Sequence, residues 1–339
     1  MNIAFRVDAS KYIGIGHLMR CIALSEELNK RRHNCYFLIR LNDNKLIDNL
    51  KQNKISYKRI EKTATLNEDL DFVLKFSNKN NINWIITDYY DLNSSYCRKL
   101  KEKNYKILSV DDYAQIHYYS DIVVNQNIGS EKIHFSSEIY TKFLLGPKYV
   151  MMRDELLNKN NKKKIKDVQK LLITMGGSDH DNYTLKVLKS LKDLNENINV
   201  ILVVGPLNPN YIKLKRFVKK MNVNIQLINS PKKISDIYLK SDIAISAGGT
   251  SCYELSYYGI PNLIITVAEN QLNIAKEFDR RGISIYLGDK KEVTADIIKD
   301  KVNELINNHY LRKKMNQKGQ KLIDGLGKKR IVDVMESFD

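Results

Sequence analysis

The stretch NIAFRVDASKYIGIGHLMRCIALSEELNK, residues 2–30, contains the pattern that decides the fold. Its first part, IAFRV (3–7), is a short apolar run of the kind that forms a buried β-strand. Its last part, HLMRCIALSEELNK (17–30), places apolar residues at i, i+3, i+4 and i+7, the period of an amphipathic helix. Gly14 and Gly16 lie between the two parts. The stretch therefore predicts a strand, a glycine-rich turn and a helix, the first unit of an α/β fold.

The same alternation of apolar strand and helical segment recurs along the chain in two series. The predicted strands are IAFRV (3–7), CYFLI (35–39), WIITD (84–88), KILSV (106–110) and DIVVN (121–125) in the first series, and KLLITM (170–175), NVILVVG (199–205), VNIQLI (223–228), DIAIS (242–246) and NLIIT (262–266) in the second. Apolar strands linked by crossover helices are typical of parallel sheets that are covered on both faces. The sequence therefore predicts two α/β domains in tandem, each with a doubly wound, Rossmann-like sheet.

The lysine-rich interval around residues 158–168 interrupts the alternation and marks the predicted linker. A length of 339 residues also suits two domains, at about 150 residues per domain. We assign residues 1–157 to an N-terminal domain and residues 168–325 to a C-terminal domain. Residues 326–339 have helical periodicity, and we expect this last helix to pack back on the N-terminal domain.

Composition excludes several classes of protein. With 43% apolar residues, the chain is neither disordered nor collagen-like. No apolar window approaches the roughly 18 residues of a membrane span, so we expect no stable membrane insertion. The N-terminus, MNIAFRVDA, lacks the basic and apolar regions of a signal peptide, and we therefore expect a cytoplasmic protein. The four cysteines have no CxxC or Cys/His spacing, which argues against a zinc site or a disulfide framework.

The formal net charge of +17 would attract nucleic acid, anionic lipid or phosphorylated small molecules. Much of this charge lies in Lys/Asn-rich stretches such as 158–167 and 312–321, which suit a solvated surface as well as they suit a functional patch. No aromatic-interleaved RNP pattern, zinc finger or helix-turn-helix spacing accompanies the charge. We therefore expect no nucleic-acid partner, and no sequence feature specifies an oligomeric partner.

The first glycine-rich turn points to a catalytic histidine. Ligands of doubly wound sheets bind at the carboxyl ends of the strands, beside helix N-termini, and His17 opens the predicted helix at such a place. Gly14 and Gly16 would allow a ligand to approach the backbone closely. The field of a helix N-terminus disfavours an imidazolium, so the neutral ring could accept a proton. The alternative is a helix-capping histidine beside a structural turn.

Two further glycine turns follow strands of the second series. Gly176 and Gly177 come directly after KLLITM, and Gly248 and Gly249 come after DIAIS. A strand, a pair of glycines and a helix N-terminus can cradle a diphosphate with backbone amides and the helix dipole. Glu254, one helical turn further on, could accept hydrogen bonds from a ribose diol, although a solvated helix carboxylate is the plainer interpretation. Neither turn matches a P-loop or a dinucleotide fingerprint.

These residues belong to a longer series of motifs that resembles a known family. The series is Gly14-x-Gly16-His17-x-x-Arg20-Cys21, Asp88-x-Tyr90, Asp111-Asp112-x-Ala114, Asn125-Gln126-Asn127, Gly146-Pro147-Lys148-Tyr149 with Arg153, Gly176-Gly177-Ser178-Asp179, Ser246-Ala247-Gly248-Gly249-Thr250 with Glu254, and Glu269-Asn270-Gln271. It is similar to the UDP-2,4-diacetamido-2,4,6-trideoxy-β-L-altropyranose hydrolases of pseudaminic acid biosynthesis and their spore-coat polysaccharide relatives. The resemblance implies a GT-B fold with the active site in the cleft between two Rossmann-like domains.

The resemblance also implies roles for individual residues. His17 matches the catalytic base of the family, and Tyr90 matches a tyrosine that orients this base or the attacking water. The positions implied to contact the UDP-sugar are Gly14, Gly16, Arg20, Gly177, Ser178, Gly249, Thr250, Glu254, Asn270 and Gln271. Two residues depart from the family pattern: Tyr89 stands where histidine is expected, and His180 stands where proline is frequent. Tyr89 borders the expected sugar pocket, so this departure bears on which sugar is bound.

The implied activity is hydrolysis of a UDP-sugar. Water attacks C1 of the sugar with inversion, and UDP leaves as a good leaving group. A neutral histidine can activate the water, and helix N-termini and lysines can stabilise the diphosphate. No DxD pair or His/carboxylate cluster appears at an expected metal site, so we expect neither a metal nor another cofactor. Two alternatives remain: a UDP-sugar-dependent GT-B glycosyltransferase, and a nucleotide-sugar-binding protein without catalytic activity.

Overall fold

The structure is a computed structural model that describes residues 1–9, 15–40, 46–47, 50–51, 54–61, 63–89, 91–157, 163–192 and 197–338. The chain divides into two compact units. The first unit consists of Met1–Arg153 together with Leu326–Asp339, and the second unit consists of Asp154–Gly325.

The first unit is built on a parallel sheet. Its described strands are β1 (Asn2–Val7), β2 (Asn34–Ile39), β3 (Ser56–Arg59), β4 (Trp84–Asp88), β5 (Lys106–Val110), β6 (His117–Tyr118), β7 (Ile122–Asn125), β8 (Ser136–Ser137) and β9 (Lys142–Leu145). Seven of them form one sheet in the order β3-β2-β1-β4-β5-β7-β9, and β6 pairs separately with β8. The strand order reverses between β1 and β4, which makes the carboxyl ends of these two strands the switch point where ligands bind in such sheets.

The helices of the first unit that the structure describes in full between these strands are α1 (Gly16–Lys30), α2 (Leu66–Lys79) and α3 (Ser94–Lys101). Helix α1 begins at Gly16 and buries apolar residues such as Leu18, Ile22 and Leu28. Helix α2 begins with a capping box, in which Thr65 and Glu68 satisfy each other's backbone amides. Because α1 follows β1, the start of α1 lies at the switch point between β1 and β4.

The second unit repeats this plan with a six-stranded parallel sheet. Its described strands are β10 (Lys170–Thr174), β11 (Asn199–Val204), β12 (Ile225–Asn229), β13 (Ile243–Ala247), β14 (Asn262–Thr266) and β15 (Ser284–Asp289). The helices are α4 (Tyr183–Ser190), α5 (Tyr211–Val218), α6 (Ser235–Lys240), α7 (Ser251–Tyr258), α8 (Leu272–Arg280), α9 (Ala295–Asn307) and α10 (His309–Leu322). The sheet order is β12-β11-β10-β13-β14-β15, so its switch point lies between β10 and β13, and each of these strands is followed by a glycine pair.

The last helix, α11 (Gly327–Glu336), belongs to the first unit. Its Lys328 is buried, and the Nζ atom lies 2.9 Å from Oε2 of Glu26 on α1. Glu336 accepts a hydrogen bond of 2.7 Å from Arg31 at the end of α1. Gly327 permits the close approach, because a Cβ atom there would lie 2.3 Å from the carbonyl oxygen of Val150. Burial and ion pairs together hold this helix on the first unit.

All ten strands predicted from apolar runs are confirmed. The prediction missed β3, β9 and β15, which lie at sheet edges, and the two-residue strands β6 and β8. The edge strand β3 has the sequence SYKR and is mostly exposed. An edge strand has a neighbour on one side and solvent on the other, so it does not need the apolar run that a central strand needs.

Within the described part of the chain, every helix is too short or too polar to cross a membrane. The cysteines within the described part of the chain are all free thiols: Cys21, Cys97 and Cys252 are buried, and Cys35 is half-buried. Burial raises the pKa of the Cys97 thiol to about 11 and that of Cys252 to about 12. Both thiols are therefore protonated and unreactive at neutral pH.

Candidate active site

His17 lies at the switch point of the first unit and contacts a buried carboxylate. It is the second residue of α1 and is only 6% exposed. Its Nδ1 atom lies 2.6 Å from Oδ1 of Asp88, the last residue of β4. Because α1 follows β1, and β1 pairs with β4, the topology brings the two side chains together. The structure therefore places the predicted base beside an acid that can orient it.

The Asp88 contact determines where the neutral ring of His17 carries its proton. Burial disfavours an ionised Asp88, but the charge of Arg20 and the hydrogen bonds from Arg20 and His17 outweigh burial and hold the pKa of this carboxyl below its usual range. An ionised carboxylate only accepts hydrogen bonds, so Nδ1 must donate to it, although Nη2 of Arg20 also lies 3.0 Å from Nδ1. The lone pair of the neutral imidazole is then on Nε2, which can accept a proton.

Arg20, predicted from the resemblance to contact the UDP-sugar, is buried beside His17 and Asp88. Its guanidinium is 5% exposed and bridges two carboxylates, with Nε and Nη2 each 2.6 Å from an oxygen of Asp88 and Nη1 2.9 Å from Oδ1 of Asp112. Burial lowers the pKa of Arg20, but Asp112 and Asp88 more than compensate and raise it above its ordinary value. Arg20 donates most of its N–H groups to these aspartates and thereby holds Asp88 in place, and its contact with the UDP-sugar stays a prediction.

The sequence motifs included Asp88, Asp112 and Asn127 but assigned no role to them. In the structure, Nδ2 of Asn127 donates to Oδ1 of Asp112 at 2.8 Å, so the polar chain runs from His17 through Asp88, Arg20 and Asp112 to Asn127. Asp88 is the last residue of β4, Asp112 follows β5, and Asn127 follows β7. Polar residues at the carboxyl ends of neighbouring parallel strands were the sequence signal from which these polar contacts could have been predicted.

Two predicted residues of the first unit, Gly14 and Tyr90, lie outside the described residues. Gly16 starts α1, and a Cβ atom there would meet nothing within 4 Å, so the packing of the described residues does not require glycine at this position. Tyr89 follows Asp88. Its ring centre lies 4.8 Å from the guanidinium carbon of Arg6, and its hydroxyl donates to Asp91. Burial and Asp91 raise the pKa of Tyr89 to about 12, so it is a neutral hydroxyl at this edge of the sheet.

The third glycine turn of the chain presents unused backbone amides at a helix N-terminus. Strand β13 ends at Ala247, and α7 begins at Ser251. No hydrogen bond between the described residues uses the amides of Gly249, Thr250 or Ser251. The first amides of a helix have no partner within the helix, and their alignment with the helix dipole favours anions. This turn therefore has the donors that a phosphate group requires.

Gln271 is held against the same turn. Its Oε1 accepts hydrogen bonds from the amides of Gly248 at 3.2 Å and Val267 at 3.0 Å. The Nε2 group of the same carboxamide therefore points away from these two amides. It lies 3.9 Å from the position that a Cβ atom on Gly249 would occupy. Gly248 is needed for this contact, because a Cβ atom there would lie 2.9 Å from Cβ of Gln271. Gln271 thus extends the row of donors, and Asn270 precedes it, half-buried.

Glu254 lies one turn into α7 and is half-buried. Its Oε2 accepts a hydrogen bond of 2.6 Å from the hydroxyl of Tyr238 on α6. The carboxylate therefore has a defined orientation, unlike the freely solvated helix glutamate of the plainer interpretation. Glu254 and the amides of the preceding turn lie within one short segment of the second unit.

The second glycine turn, at Gly176 and Gly177, differs from the third, at Gly248 and Gly249. The expectation of an open helix N-terminus was wrong for the second turn. The carboxylate of Asp179 accepts from the amides of Tyr183 at 2.7 Å and Thr184 at 3.0 Å, so the start of α4 already holds an anion. The carbonyl of Gly177 accepts from Leu207. Ser178 is half-buried beside it, so the possible donors to a ligand on this turn are its hydroxyl and the loop amides. The helix N-terminus of α4 is unavailable to a diphosphate because its own sequence supplies the capping acid.

Within the described residues, no group of three His, Cys, Asp or Glu side chains is arranged to hold a metal ion.

Comparison with known proteins shows similarity along the chain. Residues 171–331 match the model of the glycosyltransferase family 28 C-terminal domain. The uncharacterized protein MJ1062 of Methanocaldococcus jannaschii is 26% identical over 302 residues, which are 86% of this chain and 61% of that protein. The spore coat polysaccharide biosynthesis protein SpsG of Bacillus subtilis is 23% identical over 344 residues, 100% of this chain and 98% of that protein. The chain thus spans about three fifths of the first relative and nearly all of the second.

A third relative carries an activity in its name. The UDP-2,4-diacetamido-2,4,6-trideoxy-β-L-altropyranose hydrolase of Campylobacter jejuni is 25% identical over 290 residues, 84% of this chain and 98% of that enzyme. These matches confirm the resemblance that the ordered motifs indicated.

Solved structures establish the fold class. MurG of Acinetobacter baumannii superposes with a TM-score of 0.73 at 12% identity, over 99% of both chains. MnaA of S. aureus, solved with UDP, superposes with a TM-score of 0.67 at 15% identity, over 99% of this chain and 96% of that chain. Identities this low show the fold alone. Two parallel-sheet α/β units that match these structures along their length are those of a GT-B fold.

Proposed function

We propose that this chain, a relative of the UDP-2,4-diacetamido-2,4,6-trideoxy-β-L-altropyranose hydrolases and the spore-coat SpsG protein, is itself a nucleotide-sugar hydrolase that releases UDP from a diacetamido-trideoxyhexose. The sugar class rests on the name of the Campylobacter jejuni relative, and UDP is also the ligand of the S. aureus neighbour. The observation that carries the proposal is the hydrogen bond of 2.6 Å between His17 and Asp88. Hydrolysis requires a base to activate water, and this pair provides one.

The second unit is proposed to hold UDP. The amides of Gly249 and Thr250 and the Nε2 group of Gln271 would donate to the diphosphate, and Glu254 would accept from the ribose hydroxyls. Asn270 would lie next to the sugar. Loop amides of Gly177 and Ser178 would supplement these donors, whereas the start of α4 is closed by Asp179. N–H donors that are fixed before the reaction stabilise the charge that develops on a leaving diphosphate.

The first unit is proposed to supply the attacking water. Nε2 of His17 takes a proton from the water while its oxygen bonds to C1 of the sugar, and the bond from C1 to the diphosphate oxygen breaks. Asp88 stabilises the imidazolium that forms, in the way that an acid supports the histidine of a hydrolytic triad. A single displacement of this kind inverts C1. Gly14, Gly16 and Tyr90 are proposed to border the reacting centre.

A glycosyltransferase is the second candidate, because residues 171–331 match a glycosyltransferase domain and the fold is that of MurG. Such an enzyme would use the same UDP site and transfer the sugar to an acceptor other than water. Product analysis with and without a lipid acceptor distinguishes the two activities. Free sugar formed at the same rate without any acceptor supports the hydrolase.

The reaction is tested by supplying a panel of UDP-linked diacetamido-trideoxyhexoses in ¹⁸O-labelled water. UDP should be released from one of them, with the label in the free sugar and none in UDP, measured by mass spectrometry before the anomeric oxygen exchanges. A free sugar that is first formed as the β anomer from an α-linked substrate, or the reverse, would establish inversion. Label in a phosphate would mean that His17 directs water to phosphorus, and the mechanism would then be wrong.

Replacing Glu254 by alanine should weaken the binding of UDP by roughly 10–150-fold. The reason is the loss of a charge-assisted hydrogen bond, which contributes about 1.5–3 kcal/mol, at about 1.4 kcal/mol per tenfold change. Titration calorimetry with UDP measures the effect. Glu304→Ala is the matched control, since Glu304 pairs with Lys301 on α9, away from the glycine turns. An unchanged dissociation constant for Glu254→Ala would place the ribose elsewhere.

Catalysis should need no divalent cation. The proposed diphosphate site meets the negative charge with backbone and carboxamide N–H groups at the N-terminus of α7, a means of binding phosphate that requires no metal. The enzyme treated with EDTA and the same enzyme with magnesium restored should hydrolyse UDP-sugar at equal rates. A strict dependence on added magnesium or manganese would contradict this prediction and favour metal-assisted cleavage.

A further inference from the structure

We propose that Tyr238 is a positioning residue for nucleotide binding, which holds the Glu254 carboxylate in the orientation that accepts the ribose hydroxyls. This inference rests on the proposed UDP site and adds a residue that the sequence motifs did not include. Tyr238 lies on α6, between β12 and β13, and its hydroxyl donates to Oε2 of Glu254 at 2.6 Å.

The position of the Tyr238 hydroxyl is itself fixed by packing. The side chain is 1% exposed. Its ring meets the ring of Tyr258 edge-on, with 5.4 Å between the ring centres, and Tyr258 in turn donates to the carbonyl of Leu156. Tyrosine has only two side-chain torsions, so a buried ring leaves its hydroxyl little freedom. The donor that reaches Glu254 is therefore rigid.

Holding one oxygen of Glu254 matters because glutamate is a flexible side chain. A free glutamate on a helix surface samples several rotamers, and ordering it on ligand binding reduces affinity. The tyrosine O–H bonds to the ionised carboxylate, a pairing that is shorter and stronger than a neutral hydrogen bond. The carboxylate is thereby ordered before UDP arrives and retains acceptor capacity for hydroxyl groups, since each carboxylate offers about four acceptor positions.

The test compares UDP with 2′,3′-dideoxy-UDP, which lacks the ribose hydroxyls. Tyr238→Phe keeps the ring and removes only the hydroxyl, and it should bind UDP roughly 2–10-fold more weakly, because the Glu254 side chain must then be ordered when UDP binds. Its affinity for 2′,3′-dideoxy-UDP should equal that of the wild type. In a Glu254→Ala background the same substitution should cause no further loss, since the group on which Tyr238 acts is then absent.

Tyr257→Phe is the control for a change in the tyrosine cluster. Tyr257 is buried on α7 with its ring 5.6 Å from that of Tyr258, and burial alone raises its pKa. This variant should bind both nucleotides like the wild type. Equal losses for UDP and 2′,3′-dideoxy-UDP in Tyr238→Phe would overturn the positioning role and leave only a structural one, as would unchanged UDP affinity. A wild type that binds both nucleotides equally would refute the proposed ribose contact of Glu254 itself.

Discussion

Replacing His17 by asparagine should reduce kcat by about 10²–10⁴-fold, the usual effect of removing a general base. Asparagine retains a polar group of similar size that can still hydrogen-bond to Asp88, but it cannot take a proton from water. UDP affinity should be unchanged, because the proposed nucleotide contacts belong to the second unit. Steady-state hydrolysis together with UDP titration measures both quantities.

His117→Asn is the control for the loss of a histidine. His117 lies in the same unit and bonds to Ser136 and Glu138, away from Asp88. It should hydrolyse the substrate at the rate of the wild type. Near wild-type kcat in His17→Asn would show that another group activates the water, and His17 would then be only the helix-capping residue of the alternative interpretation.

The second large effect is expected from Asp88→Asn, which should also reduce kcat about 10²–10⁴-fold. Oδ1 of Asp88 receives hydrogen bonds from His17 and Arg20, and Oδ2 receives one from Nε of Arg20. An asparagine NH₂ group would meet an N–H donor of Arg20 in either orientation, Nε at the Oδ2 position or Nη2 at the Oδ1 position. Only at the Oδ1 position does it also meet a group that can accept, Nδ1 of His17, so we expect it to turn there. Nδ1 would then accept, the ring proton would move to Nε2, and Nε2 could no longer act as the base.

Asp112→Asn is the control that distinguishes a change in the His17 tautomer from a general loss of stability in the polar chain. Asp112 pairs with the same guanidinium at 2.9 Å, so both variants remove a buried partner of Arg20. Removing one member of a buried ion pair can cost about 3–5 kcal/mol in the free energy of unfolding, and thermal denaturation should show a loss in both variants. Only Asp88→Asn should lose most of its turnover when folded. Equal kcat losses would mean that Asp88 acts through stability and not through the tautomer of His17.

Much of the fold could be predicted because strands that are buried on both faces must be apolar throughout. The five predicted runs of each series, such as WIITD (84–88) and NLIIT (262–266), are strands in the structure. The edge strand β3 was missed for the same physical reason, since its sequence SYKR faces solvent. The apolar pattern of a sequence reflects the burial of its residues. An edge strand is therefore predicted only where it keeps an apolar run, as β12 does and β3 does not.

The candidate site could be predicted only in part, because similar turns acquire different chemistry from their surroundings. Two strand–Gly–Gly–helix junctions were equivalent as sequence. In the structure, Asp179 closes the start of α4, whereas the amides of Gly249 and Thr250 have no partner among the described residues. Which amide a side chain reaches depends on backbone angles in the turn, and Asp179 itself has a positive φ of 36°.

The sequence by itself determined which residue types stand at the carboxyl ends of the strands, including His17 and Glu254. Their partners were decided by tertiary structure. Asp88 reaches His17 across 71 positions of sequence because β4 pairs with β1, and Tyr238 reaches Glu254 because two helices pack together. Local periodicity is set by the burial of neighbouring residues, whereas strand order and helix packing minimise the exposed apolar surface of a whole unit. The position of the proposed base can therefore be predicted from the sequence, whereas its tautomer depends on the folded protein.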